Sequence, residues 1–297
     1  MTQLFDPAGV AHMARPERTL RQSTLGNFDI CHRRVMYGLD PAIPYGTGPN
    51  RAFGTAYHAG LEALYLGQPW DEVDLAVETA FNAEAQHISD WGPDWPSALD
   101  ALDNAMSLVR TYAELDPPAV DKDRYDVVAV EAEFYMPWRS GWQDPERWWV
   151  KGALDLVLWD KHEQHLEVRD HKTARKAWRK GKESIRQTNQ AAWYAHWWAK
   201  VWTQVTQTEV DPTSITFCFD VMTLAGKFEQ RRVAISQSDI NAVILKANLA
   251  ADLIEADGPW LPNTSSFLCS KQYCDHWAIC PFGEALDRGQ VPEVTRG

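Results

Sequence analysis

Apolar residues recur along the chain with two different periods. A period near 3.6 residues predicts helices, and alternation of apolar and polar residues predicts strands. The predicted helices cover residues 23–39, 51–66, 183–203 and 238–256, with two more within 71–115. The predicted strands cover residues 125–137, 154–159, 215–222 and 228–235, with one more from residue 165 to about 172. The middle of the chain is therefore predicted to be rich in strands.

Residues 151–172 are predicted to form a hairpin that carries Asp155 on its first strand and Asp170 on its second. On the second strand the period of two places Asp170 and Lys172 on the same face as Leu166 and Val168. A carboxylate on an apolar face costs several kcal/mol unless it is paired or binds a metal. Two interpretations follow: a divalent-cation site with Lys172 as a fixed positive charge, or a buried Asp–Lys pair.

Three cysteines near the C-terminus are close enough to share a metal. Cys269, Cys274 and Cys280 lie within 12 residues, and thiols at this spacing indicate metal binding in a reduced compartment. Zinc accepts three thiolates and a histidine, whereas a cubane iron–sulfur cluster usually takes four thiolates. The fourth ligand is open among three residues: His276, Cys218 and Cys31.

Composition indicates a globular protein that stays in the cytosol. Of the 297 residues, 45% are hydrophobic and 24% are charged. No apolar run approaches the roughly 20 residues of a membrane span. The first 20 residues have no apolar signal core, and five cysteines in so long a chain do not suggest a disulfide framework. The net charge of −12 argues against general binding of polyanions.

The charge is uneven, however, around the second acidic residue of the hairpin. Eight of the 29 basic residues fall between positions 169 and 186. Beside a metal site, such a segment fits a substrate that carries phosphates, although a solvated loop has the same composition. The eight are Arg169, Lys172, Arg175, Lys176, Arg179, Lys180, Lys182 and Arg186.

Two predicted helices place polar pairs on one face. His58 and Glu62 are four residues apart, which is the spacing of a local hydrogen bond or of a contribution to the metal site. Gln190 and Tyr194 have the same spacing on the helix that follows the hairpin.

These pieces occur in an order that resembles the RecB-like branch of the PD-(D/E)XK nuclease superfamily. The branch has a helical His, then G-x-x-D, D-x-K-T and Q-x-x-x-Y, and this chain has His58, Gly152 to Asp155, Asp170 to Thr173, and Gln190 to Tyr194. The cysteines resemble those of its iron–sulfur subgroup, which includes CRISPR-associated iron–sulfur exonucleases, their phage relatives and AddB-type nucleases. The resemblance covers residues 20–285. The C-terminal spacing is C-x4-C-x5-C instead of the common C-x2-C-x5-C.

The resemblance implies an α/β fold with a PD-(D/E)XK (restriction-endonuclease-like) core, in which helices flank a central mixed sheet. It also implies one nuclease domain over residues 1–297. Within that domain we expect a helical part at about 20–120 with the first cysteine, a nuclease core at 121–260 and a cysteine-rich cluster segment at 261–285.

The implied activity is hydrolysis of DNA by a Mg²⁺- or Mn²⁺-dependent exonuclease. Lys172 is expected to orient the attacking water or stabilise developing charge, and Gln190 and Tyr194 to position the DNA strand or Lys172. Either Glu131 or Glu133 is expected near the metal as well. The expected metal ligands are His58, Asp155, Asp170 and the carbonyl of His171; the expected ligands of a [4Fe–4S] cluster are Cys31, Cys269, Cys274 and Cys280, with Zn²⁺ as the alternative.

The expected partner is DNA, as a single strand or a DNA end, in recombination, repair or phage DNA processing. A second copy of the chain or a recombination protein is left open as a protein partner, and no membrane is expected. The competing function is that of a non-catalytic nucleic-acid-binding protein that keeps the fold. The residues expected to contact DNA phosphates are Arg175, Lys176, Arg179 and Lys180.

Overall fold

A computed structural model describes residues 18–40, 42–43, 48–86, 88, 90–91, 94–115, 121–138, 148–178, 185–271 and 273–283. The chain divides into two compact units. We call Met1–Thr19 and Thr47–Val243 the sheet unit, and Leu20–Gly46 and Ile244–Gly297 the cysteine unit. The prediction of a single nuclease domain stays a prediction, because compact units can belong to one folding domain.

The described residues form a mixed six-stranded sheet flanked by helices, as the resemblance predicted. The strands are ordered β1-β3-β4-β5-β6, and β2 also pairs with β3. Neighbouring strands from β2 to β6 are antiparallel, except that β4 and β5 are parallel. The strands are β1 (Arg18–Leu20), β2 (Tyr125–Pro137), β3 (Trp148–Asp160), β4 (His165–Ala174), β5 (Thr216–Thr223) and β6 (Phe228–Val233).

A helical crossover explains the parallel pair, because parallel neighbours need a long connection that returns the chain to the same end of the sheet. The helix α6 provides it between β4 and β5. The helices of the described residues are α1 (Gln22–Ile30), α2 (His32–Leu39), α3 (Pro49–Tyr65), α4 (Trp70–Ala85), α5 (Ala98–Glu114), α6 (Ile185–Thr206) and α7 (Gln237–Glu255).

One part of the core lies where α3, α4 and α5 pack together and against the sheet. Apolar residues of α3 recur at positions 53, 57 and 61, so one face of the helix is buried. Leu156 and Leu158 of β3 and Met222 of β5 contribute from the sheet. This packing fixes α3 against the strands that carry the acidic residues.

The prediction of one helix over residues 23–39 was wrong. Cys31 has extended dihedral angles (φ −169°, ψ 124°) and separates α1 from α2. Helices lie on both sides of this single extended residue, so the prediction joined them into one.

Gly152, the glycine of the G-x-x-D motif, is required by packing. It lies opposite Phe134 in the β2–β3 ladder. A Cβ at this position would lie 2.3 Å from two ring carbons of Phe134, which is far closer than real Cβ contacts. The motif glycine therefore lets the aromatic ring cross strand β3 at this point.

Within the described residues, none of the helices is both long enough and apolar enough to cross a membrane.

Candidate metal centre

One helix and two strands of the sheet unit bring together three ligand-type side chains. His58 lies on α3, Glu131 on β2 and Asp155 on β3, and one ligand atom of each lies within 4.8 Å of the other two. His58 Nδ1 is 3.5 Å from Asp155 Oδ2 and 3.7 Å from Glu131 Oε1. All three are partly buried, with side-chain exposures of 29%, 31% and 12% in chain order. A cation could be held here from three sides.

The backbone of Glu131 adopts an unusual conformation. Its φ is +46°, in the left-handed region that non-glycine residues rarely occupy within a strand. Such strained residues cluster at functional sites, where the surrounding structure holds them in place. Glu133, the other acidic residue considered, instead contacts Lys151, with Nζ 2.7 Å from Oε1. The structure therefore places Glu131 beside His58.

Strand β4 adds the second aspartate. Asp170 is buried, and its Oδ2 lies 2.5 Å from Lys172 Nζ. Its Oδ1 accepts a hydrogen bond of 2.7 Å from Gln190 Nε2 on α6. Asp155 Oδ2 accepts a hydrogen bond of 2.7 Å from the backbone N–H of His171. The two motif strands are thus connected through the residue that follows Asp170.

Burial and mutual repulsion perturb the pKa values of these residues. Burial raises the pKa of Asp170 to about 6, although the charge of Lys172 opposes the rise. Burial likewise raises the pKa of Asp155, with His58 and Lys172 opposing. Burial lowers the pKa of His58, but Asp155 and Glu131 more than offset it and raise this pKa to about 9. Crowded carboxylates in such a place are stabilised by a positive charge.

The donor set fits a hard divalent ion. Carboxylate oxygens are the ligands that Mg²⁺ prefers, and one imidazole also suits Mn²⁺. Asp170 stands outside the 4.8 Å group of His58, Glu131 and Asp155 and contacts Lys172 and Gln190 instead. A metal ligand role for Asp170 therefore requires its carboxylate to leave or share these partners.

An open cleft of about 440 Å³ leads to this group. His58 and Glu62 both line the cleft. Of the two, only His58 also belongs to the group with Glu131 and Asp155. Tyr194, by contrast, stacks its ring on Phe217 of β5, with centroids 6.3 Å apart. The cleft is lined by Gly54, Thr55, His58, Ala59, Glu62 and Glu131.

The basic segment is described only in part. Arg175 donates a hydrogen bond of 2.7 Å from Nε to Asp94 Oδ1, so an acidic residue already contacts this candidate for phosphate binding. Lys176 is exposed. Arg179 and Lys180 lie outside the described residues.

A second group of ligand-type side chains lies at the turn of the β3–β4 hairpin. Asp160, His165 and Glu167 also have ligand atoms within 4.8 Å of one another. Asp160 Oδ2 accepts hydrogen bonds of 2.8 and 3.0 Å from Arg124, and Glu167 Oε1 accepts one of 2.6 Å from Arg169. Burial raises the pKa of Asp160, but the Arg124 guanidinium more than offsets it and lowers this pKa to about 2. Arginines therefore neutralise this group.

The four predicted cluster cysteines line one cavity of the cysteine unit. This cavity, of about 20 Å³, is lined by Cys31, Cys269, Cys274 and Cys280. Burial, and then the neighbouring thiols, raise the pKa of Cys269. Cys218 is buried in β5 of the sheet unit and is not among the cavity's lining residues.

The thiols do not form a close group as they stand. A tetrahedral zinc site with bonds of about 2.3 Å holds its sulfur atoms roughly 3.8 Å apart. Among the described residues, no three thiols have sulfur atoms all within 4.8 Å of one another. His276 is buried and packs against Tyr37, with centroids 4.9 Å apart.

Sequence reasoning missed one buried acidic residue behind the metal centre. Asp220 lies in β5 and is 1% exposed. It is an Asp in the middle of the apolar run ITFCFDVM, and that position was the available signal.

Three comparisons with known proteins gave different results. A search of curated proteins found no significant match. Among solved structures, SSO0001 is 14% identical, with 93% of this chain and 92% of that chain covered and a TM-score of 0.44. A protein of Eubacterium rectale named "Putative exonuclease" is 9% identical, with 85% and 87% covered and a TM-score of 0.52. The second likeness supports the fold alone.

The family model of the PD-(D/E)XK nuclease superfamily matches residues 20–281, which is most of the chain. The match includes the helix that carries His58, the hairpin with Asp155 and Asp170, and the cysteine-rich segment. The chain belongs to the PD-(D/E)XK nuclease superfamily.

Proposed function

We propose that this protein is a Mg²⁺- or Mn²⁺-dependent DNA exonuclease of the RecB-like branch. The observation that carries the proposal is that His58 of an open cleft approaches Asp155, while Asp170 and Lys172 are paired on the strand next to that of Asp155. These residues come from a helix and two strands that are distant in sequence. Membership of a nuclease superfamily gives this arrangement its chemical meaning.

In this proposal Asp155, Asp170, the imidazole of His58 and the carbonyl of His171 hold the ion, and Glu131 supports it from β2. When bound, such an ion polarises a phosphoryl oxygen and makes a water molecule more acidic. The residues present supply the ligand types that this chemistry needs, since carboxylate oxygens dominate the set.

Lys172 and Gln190 have roles that follow from their contacts. Lys172 Nζ, held 2.5 Å from Asp170, provides a positive charge for the attacking water or for charge that develops on the phosphate. Gln190 holds Asp170 Oδ1 from α6 and so fixes the rotamer of that carboxylate. Tyr194 lies on the same helix and packs on Phe217 of β5, and this contact holds α6 against the sheet.

A nuclease assay on linear and circular DNA tests this function. The purified protein is incubated with Mn²⁺ or Mg²⁺ and single- or double-stranded substrates, beside Asp170→Asn and the matched variant Asp160→Asn. An exonuclease is supported if the wild type and Asp160→Asn cleave linear but not circular DNA and Asp170→Asn cleaves neither. Metal-dependent DNA binding without cleavage would instead support the non-catalytic alternative.

The basic segment contributes contacts to the DNA backbone in this proposal. Lys176, with Arg175, Arg179 and Lys180, neutralises phosphates beside the metal centre. Each lost phosphate contact lowers the slope of log affinity against log salt by roughly 0.7–0.9. Replacing all four by alanine should therefore flatten that slope, and the Arg175 contact with Asp94 predicts a smaller share for Arg175. An unchanged slope would show that the segment is a solvated loop.

A [4Fe–4S] cluster in the cysteine unit is the second part of the proposal. Four cysteines line one cavity, which is the number of thiolates that such a cluster usually takes. The cluster ties residue 31 to residues 269–280, and closing so long a loop constrains the unfolded chain strongly. Cys31→Ser should remove the brown colour and lower the melting temperature, and Cys218→Ser should leave the colour unchanged. Stoichiometric zinc without sulfide in the anaerobically purified protein would refute the cluster.

A further inference from the structure

Strand β4 carries charged side chains on both faces, and only one face belongs to the candidate metal centre. Successive side chains of a strand alternate, so Asp170 and Lys172 point one way while Arg169 and His171 point the other. Arg169 and His171 are buried, as is Asp220 of β5. His171 and Asp220 are direct partners in the parallel β4–β5 ladder. Buried charge is costly unless it is paired, so this second face requires its own explanation.

Three donors surround the carboxylate of Asp220. Oδ2 accepts a hydrogen bond of 2.9 Å from the Tyr112 hydroxyl and lies 3.5 Å from Arg169 Nη1. Oδ1 accepts a hydrogen bond of 2.9 Å from Gln230 Nε2. The same Oδ2 lies 3.9 Å from His171 Nδ1. The carboxylate is therefore fixed in place and faces the ring of His171.

Aromatic rings enclose the imidazole of His171. Tyr65 stacks on it with centroids 5.6 Å apart, and Tyr112 meets it edge-on at 5.5 Å. The ring of His58 lies edge-on at 6.2 Å. Among the described residues, neither ring nitrogen of His171 has a hydrogen-bond partner. Asp220 Oδ2, 3.9 Å from Nδ1, thus lies beside a ring that is otherwise held by packing.

The main chain of His171 connects this ring to the metal centre. Its N–H donates to Asp155 Oδ2 at 2.7 Å, and that same oxygen lies 3.5 Å from His58 Nδ1. One residue thus carries both the ring that faces Asp220 and the N–H that Asp155 accepts. The path from Asp220 to the ligand carboxylate passes through one residue.

We propose that Asp220 is a positioning residue of the metal centre. With Tyr112 it holds the ring of His171, and it thereby fixes the backbone N–H that orients Asp155. The inference rests on the proposed function, because it assumes that His58, Asp155 and Asp170 bind a metal ion. Partners behind metal ligands typically change metal affinity by about 10- to 100-fold when they are removed.

Binding of Mn²⁺ alone to the full chain, measured by calorimetry or electron paramagnetic resonance without DNA, tests the inference. Asp220→Asn should raise the dissociation constant for Mn²⁺ about tenfold. The matched control Asp160→Asn makes the same chemical change at a buried carboxylate that is also paired with an arginine, and it should leave this constant unchanged. At saturating Mn²⁺ the KM for DNA of Asp220→Asn should equal that of the wild type.

A milder variant keeps the inference testable if Asp220→Asn does not fold. Tyr112→Phe keeps the ring against His171 and removes the hydroxyl that donates to Asp220, so Mn²⁺ affinity should fall by a smaller factor. Unchanged Mn²⁺ affinity in the folded variants, or no Mn²⁺ binding by the wild type, would overturn the inference. If the wild type binds Mn²⁺ more tightly than the two variants but cleaves no DNA, the proposed nuclease activity is refuted. The positioning role of Asp220 would still hold.

Discussion

Strand β3 contributes to two groups of ligand-type side chains, and their surroundings differ. His58 and Glu131 line an open cleft and lie close to Asp155, while Asp160 lies with His165 and Glu167 at the hairpin turn. Both groups satisfy the same spacing of ligand atoms.

Their neighbours separate the two groups. At the turn, Arg124 donates twice to Asp160, Arg169 donates to Glu167, and the backbone N–H groups of residues 162 and 163 bind the second oxygen of Asp160. In the cleft, the carboxylates face a histidine and one another, and burial raises the pKa of Asp155. Neutralisation by fixed cations, and not the spacing of ligands, distinguishes a structural cluster from a candidate metal centre.

The largest expected effect comes from removing one charge from the cleft. Asp155→Asn should lower the rate of DNA cleavage roughly a thousandfold, because electrostatic stabilisation by a bound ion supplies several kcal/mol of the barrier reduction. Asp160→Asn should cleave at a rate close to that of the wild type. Single-turnover assays at saturating metal measure both, at a temperature where circular dichroism shows that each variant is folded. Equal rates in the two variants would remove the distinction between the groups.

Metal binding should stabilise the protein through the cleft alone. At a Mn²⁺ concentration a hundredfold above its dissociation constant, the free energy of unfolding should rise by about 2.7 kcal/mol. Asp160→Asn should keep this response and Asp155→Asn should lose most of it. Urea titrations with Mn²⁺ or with a chelator measure the change. A full response in Asp155→Asn would place the ion elsewhere.

The turn group should contribute to stability in a pH-dependent way. Asp160→Asn should lower the free energy of unfolding by roughly 2 kcal/mol at neutral pH, because it removes hydrogen bonds to a charged group. The folded-state pKa of Asp160 is lowered from 3.8 to about 2, so this contribution is present above pH 4. It is lost as the pH falls from about 4 to about 2. A difference from the wild type that stays constant over this range would contradict the assignment.

The smallest effect is expected at the rim of the cleft. Glu62 lines the cleft but does not belong to the group of His58, Glu131 and Asp155. Glu62→Gln should lower the KM for DNA about twofold at low salt, since a partly exposed charge contributes at most about 1 kcal/mol. Mn²⁺ affinity should stay at the wild-type value. A large fall in Mn²⁺ affinity would extend the metal centre to Glu62.

Local patterns predicted most of the elements, and tertiary contacts account for the errors. The bounds of β2 match the predicted strand, because its alternation matches burial on one face of the sheet. The predicted start of the first hairpin strand at residue 154 was six residues late, since Lys151 and Gly152 interrupt the apolar run in β3. Cys31 breaks a helical pattern although its own neighbours favour a helix.

The sequence predicted those residues of the candidate site that occupy motif positions. The order of His58, Asp155, Asp170 and Lys172 was visible because each sits at a motif position. The left-handed backbone of Glu131 and the contacts of Asp220 were not, since they depend on the register of β2 with β3 and of β4 with β5. A sequence shows which residues can be ligands, and the pairing of strands decides which of them are neutralised.

The division of the cysteine unit has a consequence for synthesis on the ribosome. Its first part is Leu20–Gly46 and its second begins at Ile244. At about 5–20 residues per second, the chain between them takes roughly 10–40 s to be made. During that interval Val35, Tyr37 and the thiol of Cys31 have emerged without the later segment, which supplies His276 to pack on Tyr37 and the three other cysteines of the cavity. The first two helices of the nascent protein are therefore exposed to chaperones and oxidants until translation is nearly complete.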